Sequence, residues 1–110
     1  MTIRHVVTWK LAAEDVAERG AQAAEVARRL NALDGVVPQL LSISAGANVA
    51  YPEANWDVTL VADFASIAAI EEYQVHPAHA EVAAYIRTVV ASRVAVDFDA
   101  LSEAGLFLLT

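Results

Sequence analysis

The residues of this sequence best suited to chemistry lie in the stretch Tyr73–His79, which carries a tyrosine and two of the chain's three histidines. Pro77 has no N–H and disfavours the α conformation of the residue before it, so it predicts a break between two helices with Pro77 at the start of the second. The helical period then places His79 on the same apolar stripe as Ile86. We therefore expect His79 to point inward and His76 to cap the helix or face solvent.

The third histidine, His5, lies in a segment of alternating apolar and polar residues, 2–10, which predicts a strand with His5 on its more apolar face. Imidazole titrates near neutral pH, and two imidazoles beside a phenol can move protons at an enolisable carbon. His5, Tyr73 and His79 are thus the candidate catalytic residues of an aldol-type or isomerase step. The alternative is structural: a hydrogen-bonded core histidine at position 5, a tyrosine ring packed in the core, and His76 and His79 serving the helix start.

A metal site built from these histidines is disfavoured, although the sequence leaves metal binding open. The His-Pro-Ala-His spacing at a helix start differs from the i, i+4 pair of helical zinc motifs, and no carboxylate stands at an obvious supporting position. The chain also has no cysteine, which excludes a zinc–thiolate site, a thiolate nucleophile and disulfides. We expect a protein without a cofactor.

The amino-acid composition indicates which kinds of binding partner to expect. A chain of 110 residues forms one domain. With 57% hydrophobic and only 19% charged residues, part of its apolar surface is expected to be covered by a second copy, giving a homodimer. The net charge of −7 and the scattered basic residues argue against nucleic acid and anionic membranes. The absence of cysteine, of a long apolar run and of a signal-peptide pattern predicts a cytoplasmic location.

The order of the predicted elements is βαββαβ. This order predicts a ferredoxin-like α+β fold, a four-stranded antiparallel sheet with both helices on one face. The other face, rich in Val61, Val94 and Val96, would then face the second subunit and close a dimeric α+β barrel. We expect the domain to span residues 1–99 and the apolar tail, residues 100–110, to pack at the dimer interface. The predicted strands cover residues 2–10, 39–49, 56–64 and 93–98, and the predicted helices 15–33, 66–73 and 77–90.

Several short motifs carry a resemblance to a known family: Ile3-Arg4-His5-Val6-Val7, Val37-Pro38, Gly46, Asn48, the Tyr-x-x-His-Pro-x-His run of residues 73–79, and Asp97-Phe98. The sequence resembles the stress-responsive A/B barrel (Dabb) family over all but its last twelve residues. The resemblance implies a dimeric α+β barrel of ferredoxin-like subunits, most of which have no established reaction.

Within that family, a plant polyketide cyclase has acid/base residues at the positions of His5, Tyr73 and His79, so the resemblance implies the same candidates and a polyketide-like ligand. A further pocket tyrosine of that cyclase corresponds to Leu30 here. Related plant proteins hold magnesium on backbone carbonyls that correspond to Asp34, Val37 and Leu40, where a surface ion from crystallisation is the alternative explanation.

The sequence supports three hypotheses. The first is a dimeric stress-responsive barrel protein whose role lies in its association or in binding an unknown small ligand. The second is a cofactor-independent cyclase, lyase or isomerase that uses His5, Tyr73 and His79. The third is a scaffold whose C-terminal tail docks a partner.

Overall fold

A computed structural model describes residues 1–100 and contains one antiparallel sheet and three helices. The sheet has the strand order β2-β3-β1-β4, so the first and third strands along the chain are its two central strands. The α+β, ferredoxin-like fold expected from the sequence is confirmed, with the second crossover split into two helices. The elements are β1 (Ile3–Leu11), α1 (Val16–Asn31), β2 (Ser42–Ala47), β3 (Val58–Phe64), α2 (Ile67–Val75), α3 (Pro77–Val89) and β4 (Val90–Asp99).

The two faces of the sheet differ in burial because side chains alternate along each strand. On the helix-covered face, β1 and β3 contribute fully buried residues to a core completed by the helices, and Val26, Leu30 and Tyr73 are at most 1% exposed. The opposite face is apolar but open. Its exposed side chains include Val61, Val94, Val96 and Phe98, which are 37, 50, 58 and 44% exposed.

Each helix begins where the sequence provides a capping side chain. Asp15 accepts a hydrogen bond from the Glu18 N–H at 2.9 Å, and Ser66 accepts one from the Ala69 N–H at 3.1 Å. Between α2 and α3 the backbone is extended at His76. The ring Nδ1 of His76 accepts a hydrogen bond from the Ala78 N–H at 3.1 Å. The predicted break at Pro77 and the capping role of His76 are both confirmed.

Several predicted boundaries and side-chain directions were wrong. The second strand begins at Ser42 instead of residue 39, because turns occupy the residues after α1 as far as 39. The last strand begins at Val90 instead of residue 93, since the chain becomes extended directly at the end of α3. The alternation within residues 39–49 predicts a buried Leu41, and the helical period after Ser66 predicts a buried Ile67, but both side chains are exposed.

Of the expected interface tail, residues 100–110, all but Ala100 lie outside the described part of the chain. Within residues 1–100, none of the helices combines the length and the apolar character needed to cross a membrane.

Candidate functional site

A pocket opens between the sheet and the α2–α3 break. It has a volume of about 370 Å³, within the range of small-ligand sites. Its wall is mostly apolar, and its polar groups come from four elements: β1, α2, α3 and β4. The lining of this histidine–tyrosine pocket consists of His5, Val7, Trp9, Leu30, Leu60, Tyr73, Gln74, His79, Ala80, Ala83, Ile86, Arg87, Val90 and Arg93. All three sequence-predicted site residues are therefore brought together.

His5 is held in one orientation by a carboxylate of the neighbouring strand. It is 4% exposed, and it lies directly opposite Asp97 in the β1–β4 register. Its Nδ1 is hydrogen-bonded to the Asp97 carboxylate. An ionised carboxylate can only accept, so Nδ1 carries the hydrogen and Nε2 of the neutral ring keeps its lone pair. Asp97 thereby fixes the tautomer of His5 that can accept a proton.

Tyr73 lies between the two histidines and has a buried hydroxyl. Its ring centroid is 6.4 Å from that of His5, 4.3 Å from that of His79 and 5.0 Å from that of Phe64. The hydroxyl has no hydrogen-bond partner among residues 1–100. Burial raises the pKa of Tyr73 to about 12, so the phenol stays protonated at neutral pH and can donate a hydrogen bond.

His79 is half-buried at the first turn of α3. Its Nδ1–H donates to the Gln74 carbonyl at 3.1 Å, which leaves Nε2 as the acceptor of the neutral ring. Burial lowers the pKa of His79, and the nearby His5, Arg93 and Arg87 lower it further, while the Gln74 carbonyl acts in the opposite direction. The ring is therefore neutral at pH 7 and available as a base.

Three groups were not predicted to be functional from the sequence: Arg87 and Arg93, which line the pocket, and Asp97, which lies outside the lining and bonds to His5. The strand pattern of residues 93–98 shows which of these residues share a face, but only the register places Asp97 beside His5 and Arg93 beside Trp9. Arg87 lies in the last turn of α3. His76, the weaker histidine of the motif, does not line the pocket and serves as a helix cap.

The arrangement can accept and donate protons. It presents the neutral imidazole of His79, the imidazole of His5 oriented by Asp97 and a protonated phenol against a mostly apolar wall. These groups are suited to general acid/base chemistry on a small carbonyl compound. Residues 1–100 contain no group of three His, Asp or Glu side chains placed to hold a metal ion. Fold and site together define a ferredoxin-like α+β protein with a small-molecule pocket.

The chain belongs to the stress-responsive A/B barrel domain (Dabb) family, whose model matches residues 3–100. The resemblance seen in the sequence is thus confirmed. None of the curated proteins compared with the chain matches it.

Solved structures share the fold. A dimeric ferredoxin-like protein of unknown function from Thermobifida fusca is 30% identical, with a TM-score of 0.76 over 91% of this chain and 92% of that one. A dimeric protein of unknown function from Bacteroides fragilis is 23% identical, with a TM-score of 0.81 over 90 and 96%. A hydroxynitrile lyase from Passiflora edulis is 14% identical, with a TM-score of 0.70 over 93 and 94%, and this likeness concerns the fold alone.

Proposed function

We propose that this protein is a homodimer that binds a small carbonyl-containing molecule, polyketide-like or β-dicarbonyl, in the histidine–tyrosine pocket. The observation that carries the proposal is the buried Tyr73 hydroxyl, which has no partner among residues 1–100 and lies in a pocket bordered by His5 and His79. An unpaired buried hydroxyl costs stability, and a ligand's carbonyl oxygen would accept its hydrogen bond. A cytoplasmic location and an interface role for residues 101–110 are part of the proposal.

Binding can be measured by NMR or calorimetry with neutral probes such as acetophenone and 1,3-diketones. We expect chemical-shift changes at Tyr73 and His79, and an affinity that falls about three- to tenfold in Tyr73→Phe, the worth of one hydrogen bond. Tyr85→Phe is the matched control, since Tyr85 belongs to the same helical layer but does not line the pocket. Probes that bind elsewhere, or with equal affinity to Tyr73→Phe, contradict the proposal.

The homodimer is supported by the open sheet face. Val61 of β3 and Val94, Val96 and Phe98 of β4 are apolar and exposed, and Val6 of the intervening strand β1 pairs with both Val61 and Val96. The relatives from T. fusca and B. fragilis are dimeric. Sedimentation should give about twice the chain mass of 11.7 kDa. Val96→Lys places a charge on this face between Val94 and Phe98 and should raise the dimer dissociation constant at least about 100-fold. Ala84→Lys, on the exposed side of α3, is the control. A wild-type monomer at micromolar concentration would refute the assembly.

A second function, proton transfer at a carbon next to the carbonyl, is favoured by the hydrogen bond between His5 and Asp97. A carboxylate that orients an imidazole and fixes its tautomer is a device of general-base sites, and His79 supplies a neutral imidazole. In this scheme the imidazole Nε2 of His79 takes the proton, while the Tyr73 hydroxyl donates a hydrogen bond to the oxygen that gains charge. His5, with its tautomer fixed by Asp97, is the second candidate for the proton acceptor.

Deuterium uptake at the α carbon of ketone and β-keto ester probes in D₂O tests this step. His79→Gln should lower the exchange rate by about 10² to 10⁴, the usual contribution of a positioned acid or base. His76→Gln is the control, because His76 is a histidine of the same motif outside the pocket. If the wild type binds the probes but does not accelerate deuterium exchange, the enzyme hypothesis is refuted and the binding function stands.

A further inference from the structure

The charge of the histidine–tyrosine pocket is opposite to that of the chain. The sequence contains 14 acidic and 7 basic residues, yet the pocket lining contains two arginines, Arg87 and Arg93, and no aspartate or glutamate. The two arginines flank the point where α3 ends and β4 begins, so one short segment carries both to the same opening.

These two arginines also differ from the other arginines in their partners. Arg4, Arg19, Arg28 and Arg29 each form an ion pair with a carboxylate 2.5 to 3.1 Å away. Arg87 and Arg93 form no such pair among residues 1–100. Both raise the positive potential at His79, since both act to lower its pKa. The lining thus holds two guanidinium groups that have no ion-pair partner among residues 1–100, while the Asp97 carboxylate lies outside the lining and is bonded to His5. Such a pocket attracts an anion.

We propose that the ligand of the pocket carries an oxyanion, a carboxylate or a phosphate, which Arg87 and Arg93 bind at the mouth while its carbonyl lies against Tyr73. This inference rests on the proposed function and adds the chemical class of the ligand. Guanidinium groups match the planar oxygens of such anions and hold them through charge-assisted hydrogen bonds. The arginines would give the ligand one orientation, with its charged end towards solvent and its carbonyl inside.

Three probes that share one aryl ketone test the proposal by calorimetry: 4-acetylbenzoate, 4-acetylphenyl phosphate and methyl 4-acetylbenzoate. We expect at least one of the two anions to bind about tenfold more tightly than the ester. The difference in affinity is limited to this size because the arginines are exposed and solvent screens their charge. The preference should shrink in 0.5 M salt because exposed charges are screened. The ranking of carboxylate against phosphate tells which oxyanion the site takes.

The double variant Arg87→Gln/Arg93→Gln should remove the preference, so that the anions and the ester bind with similar affinity. Arg28→Gln is the matched control, because Arg28 is paired with Glu25 on α1 and does not line the pocket. Equal binding of acid and ester by the wild type, or a preference that survives in the double variant, overturns the inference while the pocket itself stands. Failure of both anions to bind also overturns it, and binding of acetophenone and 1,3-diketones then decides the proposed function separately.

The ring of His79 offers an independent readout by NMR titration. The groups that act on it are His5 of β1, the Gln74 carbonyl of α2, Arg87 of α3 and Arg93 of β4. An oxyanion bound between the arginines offsets their charge, whereas both ligands remove water from the ring to a similar extent. The pKa of His79 should therefore be higher in the complex with an anion than in the complex with the ester. Equal pKa values of His79 in the two complexes contradict binding at this place.

Discussion

Replacing Tyr73 by Phe should stabilise the protein while weakening ligand binding. The substitution keeps the ring, which packs against Phe64 and the two histidines, and removes only the hydroxyl that has no partner among residues 1–100. Burying an unpaired hydroxyl costs about 1 to 3 kcal/mol in proteins. Because Tyr73 lines the pocket, small side-chain movements would let water reach its buried hydroxyl, and we expect a gain at the lower end, about 1 kcal/mol.

Thermal and urea unfolding measure this gain. For a chain of this size, about 1 kcal/mol corresponds to a rise in Tm of about 4 to 8 °C. Both proteins must be compared at one concentration, since dimerisation makes Tm depend on concentration. Tyr85→Phe, on the neighbouring helix α3, should change the free energy of unfolding by less than about 0.5 kcal/mol.

The pH dependence separates this explanation from a simple packing effect. Burial raises the pKa of Tyr73 to about 12, above the value of 10.0 for an exposed tyrosine. The unfolded chain therefore loses this proton first, and the wild type should lose up to about 3 kcal/mol of stability as the pH rises from 10 to 12. Below pH 10 the difference between Tyr73→Phe and wild type should be constant, and above it the difference should grow in favour of Phe. A destabilised variant, or a difference that stays flat above pH 10, would refute the reasoning.

Three further predictions concern other residues. Because the pKa of His79 is lowered, its contribution to stability is complete above about pH 6.5 and declines as the pH falls below that value, so urea unfolding should show a smaller decline in His79→Gln. Arg19→Met should lower the free energy of unfolding by about 3 kcal/mol, because it leaves the buried Asp57 carboxylate without its ion pair at 3.1 Å. The control is Arg28→Met, which breaks the exposed Arg28–Glu25 pair and should cost less than about 1 kcal/mol. Truncation after Ala100 should raise the dimer dissociation constant, and an unchanged constant in sedimentation would remove the tail from the interface.

The local features of the fold were predictable because single residues determine them. Pro77 interrupts the helix through its own ring and its missing N–H, and His76 caps the second helix. The break between the two helices is therefore determined within residues 73–79 alone. The alternation in β1 and β3 likewise reflects a period of two along one strand. These features placed His5, Tyr73 and His79 on the buried side.

The partner of His5 could not be predicted because it depends on register. Asp97 is 92 residues away, and its pairing is fixed by how β4 aligns with β1. A register irregularity between Lys10 and Leu11 changes that alignment near the start of β4. Alternation assigns residues to faces but does not say which residue of one strand lies opposite which residue of the next. The position of Arg93 opposite Trp9 could not be predicted for the same reason.

The direct passage from α3 into β4 restricts how this segment can change in length. Alternate residues of β4 serve two surfaces: Arg93 and Asp97 belong to the pocket side, and Val94 and Val96 to the open apolar face. Since no loop separates helix and strand, and the pairing of β4 with β1 is regular from Ser92 onward, no spare residues beyond Ser92 can absorb an insertion. Adding one residue after Ser92 would exchange the two sets and place charges on the apolar face, whereas adding two would keep each set on its own side. Sequence change at this junction should therefore be tolerated in steps of two residues.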